Sequence, residues 1–341
     1  MNEDKNIAYY DVLRNIAIVG VILIHVSAIY WRQTPISFEW LIANTYHSLA
    51  RFSVPVFFMI SGALLLSPER KFSIGRLYRK NIARLVVSYC FFGSIYVLVY
   101  NSTPERFDVK LISGHYHLWF IYVMIGLYII TPFLRKIMED ISLIKYLLLL
   151  TFLFSWCVQF ISPLPVVGED ALRIVKRMQM DAFGGYVGYF VLGYYLTVRH
   201  CGAKETAVIY CLGILSLIFT ISATGFGGIY LSKGIDHFND YCIPPTFFIS
   251  TAVFIWVKNI MKKRRIPIKI LNASSYLSKL SFGIYLCHVL ILDIIVKALQ
   301  PFEIMSYPFA GIPVIVVLVY FFSALISGCL KRIPILNQYI V

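Results

Sequence analysis

The stretch that decides the fold is "YYDVLRNIAIVGVILIHVSAIYW", residues 9–31. From Asn15 onward nearly every residue is apolar, and the run is broken by Arg14 at one end and His25 inside it. A helix rises about 1.5 Å per residue, so a run of this kind is of the length that crosses a hydrocarbon layer of roughly 30 Å. An imidazole and a guanidinium in such a run are expensive, about 2.5–3.5 kcal/mol for a central Arg, and call for a use.

The same pattern recurs along the chain. Its 341 residues are 59% hydrophobic, 16% aromatic and 14% charged, with a mean hydropathy of +0.75. A soluble domain carries about 25% charged residues. Ten apolar spans are predicted, at 15–31, 52–67, 84–100, 117–134, 146–161, 185–198, 206–224, 244–258, 281–299 and 309–329. Only helices and closed barrels satisfy every backbone group in lipid, so the expected fold is all-α, a polytopic transmembrane bundle. No intervening segment is long and polar enough for a soluble domain, and one membrane domain is expected to fill 1–341. Several gaps look amphipathic, as helices lying along the interface do. No internal repeat of the transporter kind is visible.

The net charge of +14 is less informative than where the charges sit. With the N-terminus inside, 22 of the 31 Lys and Arg fall in cytoplasmic segments, among them Arg70–Arg84 and Lys258–Lys279. This is the positive-inside pattern; it predicts both termini in the cytoplasm and requires no nucleic-acid partner. The seven cysteines form no disulfide framework: five lie in or beside spans, Cys201 on the cytoplasmic side, and only Cys242 in an external loop. The first span is not a cleaved signal peptide, since its flank "MNEDKNIAYYD" is acidic and no small-residue cleavage site follows.

Polar residues within the spans are the candidate site. Eleven residues separate Arg14 from His25, within about 20° of three whole helical turns and about 16 Å of rise, so both face the same way. One helix face can line a pocket crossing much of the bilayer. Equally, Arg14 can snorkel to the headgroups and His25 bond a neighbouring helix. Arg51 sits at the outer mouth of the second span, and Pro55 with Ser61-Gly62 interrupts it; small residues there also serve close packing. Arg76 and Arg79 stand at i, i+3, with Arg84 beyond. Guanidiniums there suit a phosphate-rich ligand, or act as topology signals or anionic-lipid contacts. His115, His117, Trp119 and Tyr122 gather at the outer entrance of the fourth span, where aromatic residues also form an ordinary interfacial belt. Tyr285 and His288 share a face of the ninth span. No metal-ligand spacing, nucleophile elbow or glycine-rich phosphate loop is present in the sequence.

Taken together, "DVLRNIAIVGVILIH" (an R-x10-H), "RFSVPVFFMISGALL", "RLYR" (an R-x-x-R), "HLWFIYVMIGLYIITPFLR", "GYFVLGYYL" and "SFGIYLCHVLI" resemble the acyltransferase-3 family of integral-membrane acyltransferases. They stand in family order from residue 11 to about 291, and look closest to the short bacterial O-acetyltransferases of surface polysaccharides, the enterobacterial common antigen and O-antigen type. The resemblance implies transfer of an acetyl group from cytoplasmic acetyl-CoA, across the bacterial cytoplasmic membrane, to a hydroxyl of a surface or lipid-linked glycan. Some relatives use succinyl. It places the R-x10-H on Arg14 and His25, as catalytic and donor-binding residues, and the R-x-x-R on Arg76 and Arg79, with Arg84 beside them for the donor. Arg51, His117, Trp119 and Tyr122 become acceptor-side candidates, and no metal is expected. The alternatives are a transporter or flippase for a polyprenyl-linked saccharide and a non-enzymatic membrane partner. The ten-span reading predicts that cysteine labelling finds both termini and residues 70–80 on the cytoplasmic side and residues 165–180 outside; termini on opposite sides would sink it.

Overall fold

The computed structural model describes residues 2–33, 36–100, 106–180, 184–263, 266–302 and 304–334. Among them the secondary structure is entirely helical. The first helix, α1 (Asn2–Gln33), is followed by α2 (Phe38–Leu49) and α3 (Ser53–Leu65). A turn of helix, α4 (Ile74–Arg76), passes through a π-helical segment at Leu77–Ile82 into α5 (Ala83–Tyr100). Next come the short α6 (Phe107–Ser113) and then α7 (Trp119–Ile137). Helix α8 (Ile141–Thr151) runs through a second π-helical segment, Phe152–Cys157, into α9 (Val158–Ile161). The amphipathic α10 (Val167–Arg177) precedes α11 (Tyr186–Val198), α12 (Ala203–Leu231) and α13 (Pro244–Lys263). The chain closes with α14 (Ile268–Ser278), α15 (Ser281–Leu299) and α16 (Pro308–Arg332).

Among the described residues, nine helical stretches are long and apolar enough to cross a membrane. The tenth expected span is α11, only 13 residues long. At about 1.5 Å per residue it reaches about 20 Å, short of the hydrocarbon thickness. Its last carbonyls are satisfied by a buried cation: Lys258 Nζ donates to the carbonyl oxygens of Leu196, Thr197 (3.0 Å) and Arg199 (3.1 Å). Helix α3 ends the same way, with Arg135 donating to Leu65 O (2.8 Å), Pro68 O (3.2 Å) and Arg70 O (2.8 Å). Orphan carbonyls at a helix end need such partners, and a cation also suits the negative end of the dipole.

The second span begins earlier than hydropathy predicted, because α2 leads into α3 as one stretch, Phe38–Leu65. Its buried face is largely polar, which hid it. Ser37 caps α2 by accepting from Trp40 N at 3.3 Å. Asn44 Nδ2 donates to Ile221 O (3.0 Å), Ser48 Oγ to Asn239 Oδ1 (3.1 Å), and Trp40 Nε1 to Trp31 O (2.9 Å). The seven cysteines are free.

The tightest packing is α3 against α11. A methyl group on Gly62 would overlap the carbonyl of Phe190, and one on Gly193 would overlap that of Met59. The two backbones touch through reciprocal glycines, as small residues permit in membranes. Gly126 and Gly202, by contrast, face open space. Gly62→Ala and Gly193→Ala are therefore expected to lower the unfolding midpoint in detergent, each costing ~1–3 kcal/mol or more through overpacking. Gly126→Ala should leave that midpoint unchanged or raise it, which thermal unfolding of the three variants checks.

Candidate active site

The face of α1 bearing Arg14, Val21 and His25 lines a cavity of about 180 Å³. Three other helices contribute residues at helical spacing: Val54, Phe57 and Ser61 from α3, Phe120, Met124 and Tyr128 from α7, and Ser281, Phe282 and Tyr285 from α15. Three or four residues apart on a helix means one face, so four stripes wall a single passage. The cavity is narrow and mostly apolar, with the polar groups at its two ends.

At the Arg14 end it opens into a larger cavity of about 620 Å³, which shares Arg14, Leu85, Tyr128, Ser281 and Phe282 with it. This vestibule carries five cations, Arg14, Lys80, Arg84, Lys279 and Lys331. Lys331 stands near the end of α16, so the first and last helices meet at one basic face. Arg14 pairs with Asp11 at 3.5 Å, and Asp11 in turn accepts from Ser278 Oγ at 2.6 Å. Arg84 lies 5.4 Å from the Phe282 ring centroid, and its Nε is buried without a protein partner. A charged donor left unmet in a cationic vestibule fits an anionic ligand.

At the other end, histidines from three parts of the sequence converge. The ring centroids of His25 and His288 are 5.0 Å apart, those of His117 and His288 5.3 Å, and those of His25 and His117 6.3 Å. His288 Nδ1 stands 2.6 Å from Tyr285 O, which only an N–H can use, so its Nε2 carries the lone pair. That Nε2 is buried without a protein partner, as is Nε2 of His117. His117 is fixed from both sides: its Nδ1 is 2.8 Å from His115 Nδ1, and its carbonyl accepts from Tyr285 Oη at 2.7 Å. The Tyr96 ring packs 4.4 Å from His115 and 4.8 Å from His117, and Tyr100 donates to Asp293 beside them. Burial pulls the His115 imidazole down from its ordinary range, with the Asp293 carboxylate opposing. Among the described residues no group of three His, Cys, Asp or Glu is placed to hold a metal ion.

The residues singled out in the sequence are thus distributed unevenly. Arg14, His25, His117 and Trp119 line the one cavity, and Arg84 its vestibule. Arg51 acts one step away: it donates to Tyr241 Oη at 3.0 Å and lies 4.5 Å from that ring, and Tyr241 lines the cavity. Arg76 lines a neighbouring cavity of about 290 Å³ with Lys71 and Lys80, and the exposed Arg79 lines neither of these two. The π-helical segment replaces the expected i, i+3 pair with a wider turn that presents Lys80, Asn81 and Arg84 to the vestibule. Tyr122 points elsewhere, bonding Tyr89 Oη (2.8 Å) and Ile112 O (2.5 Å). Sequence reasoning missed Tyr128 and Tyr241, and counted Lys80, Lys279 and Lys331 only as topology charges. The 120–124–128 spacing was the available signal for Tyr128; nothing local marks the other four.

The match to the family of acyltransferase domains runs over residues 7–330. Relatives in three strains of Staphylococcus aureus (MSSA476, MRSA252 and Mu50), each named as a probable poly-beta-1,6-N-acetyl-D-glucosamine export protein, are 23% identical over 277 residues. The aligned part covers 78% of this chain and 76% of each relative. No solved structure matches. With nine membrane-length helical stretches among the described residues and a match over nearly its whole length, the chain belongs to the acyltransferase-3 family and is a membrane acyltransferase.

Proposed function

We propose that the protein is an O-acetyltransferase of a bacterial cytoplasmic membrane, moving an acetyl group from cytoplasmic acetyl-CoA to a hydroxyl of a surface or lipid-linked glycan. The observation that carries this reading is the narrow passage on one face of α1, joining a five-cation vestibule at Arg14 to the buried histidines at His25. The vestibule residues suit the phosphates of CoA, with Arg84 offering an unmet donor, and the passage suits a thin acyl-bearing arm. Bound there, acetyl-CoA supplies a thioester, whose exchange for an ester needs neither ATP nor metal. The basic face is then the cytoplasmic one, in keeping with the positive-inside distribution. A polysaccharide acceptor agrees with the glycan named in the relatives.

In this reading His25 takes the proton of the acceptor hydroxyl and passes it to the departing thiolate. A neutral imidazole offers one ring nitrogen as acceptor for that proton, the commonest choice for a general base. His117 and His288, each with a bare or unmet Nε2, position the hydroxyl and His25 against one another. The name of the Staphylococcus aureus relatives favours a second reading, glycan export. The passage weighs against it: about 180 Å³ walled by Phe57, Phe120 and Tyr285 is narrow for a polysaccharide strand.

His25→Ala is expected to insert and bind acetyl-CoA normally and to lose glycan acetylation by ~10²–10⁴-fold, the usual worth of a general base. A well-folded variant that acetylates at the wild-type rate removes His25 from the mechanism. On the donor side, Arg84→Ala should weaken acetyl-CoA binding more than Arg76→Ala, and Arg79→Ala least. Loss of a charge-assisted bond, ~1.5–3 kcal/mol, corresponds to roughly 10- to 100-fold in Kd for Arg84. Calorimetry on the three purified variants decides the order, and the reverse order would return the donor to the R-x-x-R pair.

A further inference from the structure

A second cavity, of about 770 Å³, lies on the other side of α7 from the histidines. Helix α7 is a partition. Phe120, Met124 and Tyr128 face the central passage, while Val123, Gly126, Leu127 and Ile130 face this groove. The seven helical steps from Val123 to Ile130 make it about 10 Å long along the helix. Phe154 and Val158 form its far wall, so its depth is apolar. Its rim is polar, with Gln159, Lys176 and Asp240. The Asp240 carboxylate accepts from Cys242 N at 2.7 Å, and Lys176 of the amphipathic α10 supplies the rim's cation.

Two features show that the groove is kept open. A side chain on Gly126 would meet nothing within 4 Å, so neither packing nor backbone conformation requires glycine there. Glycine in a helix interior costs about 1 kcal/mol relative to alanine. The opposite wall is one of the two π-helical segments, Phe152–Cys157, whose Ser155 Oγ is drawn aside to accept from Gly185 N at 2.8 Å. Single-turn π segments inside α-helices are frequent at functional sites.

One aromatic layer separates the groove from the reaction cavity. Tyr186 lines the groove, Trp119 and Tyr241 line the cavity, and the Trp119 ring lies 5.2 Å from Tyr186 and 5.9 Å from Tyr241. The turn 240–242 alternates, sending Asp240 and Cys242 to the groove and Tyr241 to the cavity, and Tyr189 Oη holds it by donating to Tyr241 O at 2.6 Å.

We propose that this groove binds the hydrocarbon chain of a long-chain lipid phosphate, with the phosphate at Lys176, and that the glycan attached to it passes over Trp119 and Tyr241 to reach His25. The inference rests on the acyl-transfer reading and narrows its acceptor to a membrane-anchored glycan. An apolar slot with a polar rim that carries a lysine, beside a reaction cavity, matches an amphiphile whose polar end continues into that cavity. An ordinary glycerophospholipid has the same head charge and tail, but nothing to place at His25.

The test uses the full chain in nanodiscs and a polyprenyl phosphate carrying a diazirine on its chain. Photolabelling should fall on α7 or the Phe152–Ile161 segment, survive a tenfold excess of phosphatidylglycerol, and drop at least tenfold in Gly126→Phe and severalfold in Lys176→Glu. Acetyl-CoA binding, measured on the same samples, should match wild type and certifies the fold. Labelling that phosphatidylglycerol displaces in proportion to its excess, or that Gly126→Phe leaves intact, overturns the proposal in favour of bulk lipid. Should the wild type fail to bind acetyl-CoA while the labelling pattern holds, the acyl-transfer reading fails and the lipid-phosphate groove stands.

Discussion

Backbone contact between α3 and α11 is the constraint on which the rest of the architecture depends. Two helices of 13 residues each press together through Gly62 and Gly193. Close approach brings dispersion gains that apolar side chains cannot win in lipid, where tails are as apolar as leucine. Their last carbonyls end inside the bundle and are held by Arg135 and Lys258. Each cation offsets its own burial by meeting several carbonyls, and each ties a short helix to a longer neighbour. Helix α3 is thereby fixed against α1, and its Val54–Phe57–Ser61 stripe closes the passage opposite Arg14 and His25.

Around that centre α7 does two things at once. One face completes the passage and the neighbouring face walls the groove. Its first turn carries the aromatic layer that divides the two spaces, and the preceding residues carry His115 and His117. The histidines are held by backbone as much as by one another: His288 through Tyr285 O, and His117 through the donation of Tyr285 Oη. Tyr285 therefore meets both segments, its carbonyl accepting from the His288 imidazole and its hydroxyl donating to the backbone of His117.

Much of this was legible in the sequence. Runs of apolar residues near the bilayer length dictated a helical membrane bundle, and helical periodicity alone put Arg14 and His25 on one face, about 16 Å apart. Local chemistry also marked His117, Trp119 and His288 as unusual, since a polar group in a span has to find a partner. Where polar residues replaced apolar ones the pattern failed: α2 buries Asn44, His47 and Ser48, so hydropathy left it outside the predicted spans. Helix type was not legible either, because an i→i+5 turn at Leu77–Ile82 leaves no local signature, and Lys80 and Arg84 line the vestibule beside it.

What only the tertiary structure decided is which distant residues meet. His25, His117 and His288 lie on three segments far apart in sequence, and no periodicity relates them. Lys279 and Lys331 join Arg14 at one vestibule only because α14, α15 and α16 pack back onto α1. The two faces of α7 become a passage and a groove only once α3 and α15 stand on one side and α9, α10 and α11 on the other. The sequence by itself determined that helices form, how long most of them run and which groups are costly to bury, because those follow from spacing and transfer energy along one helix. Register between helices follows from small residues and polar pairings summed over many contacts, and that is information no single stretch contains.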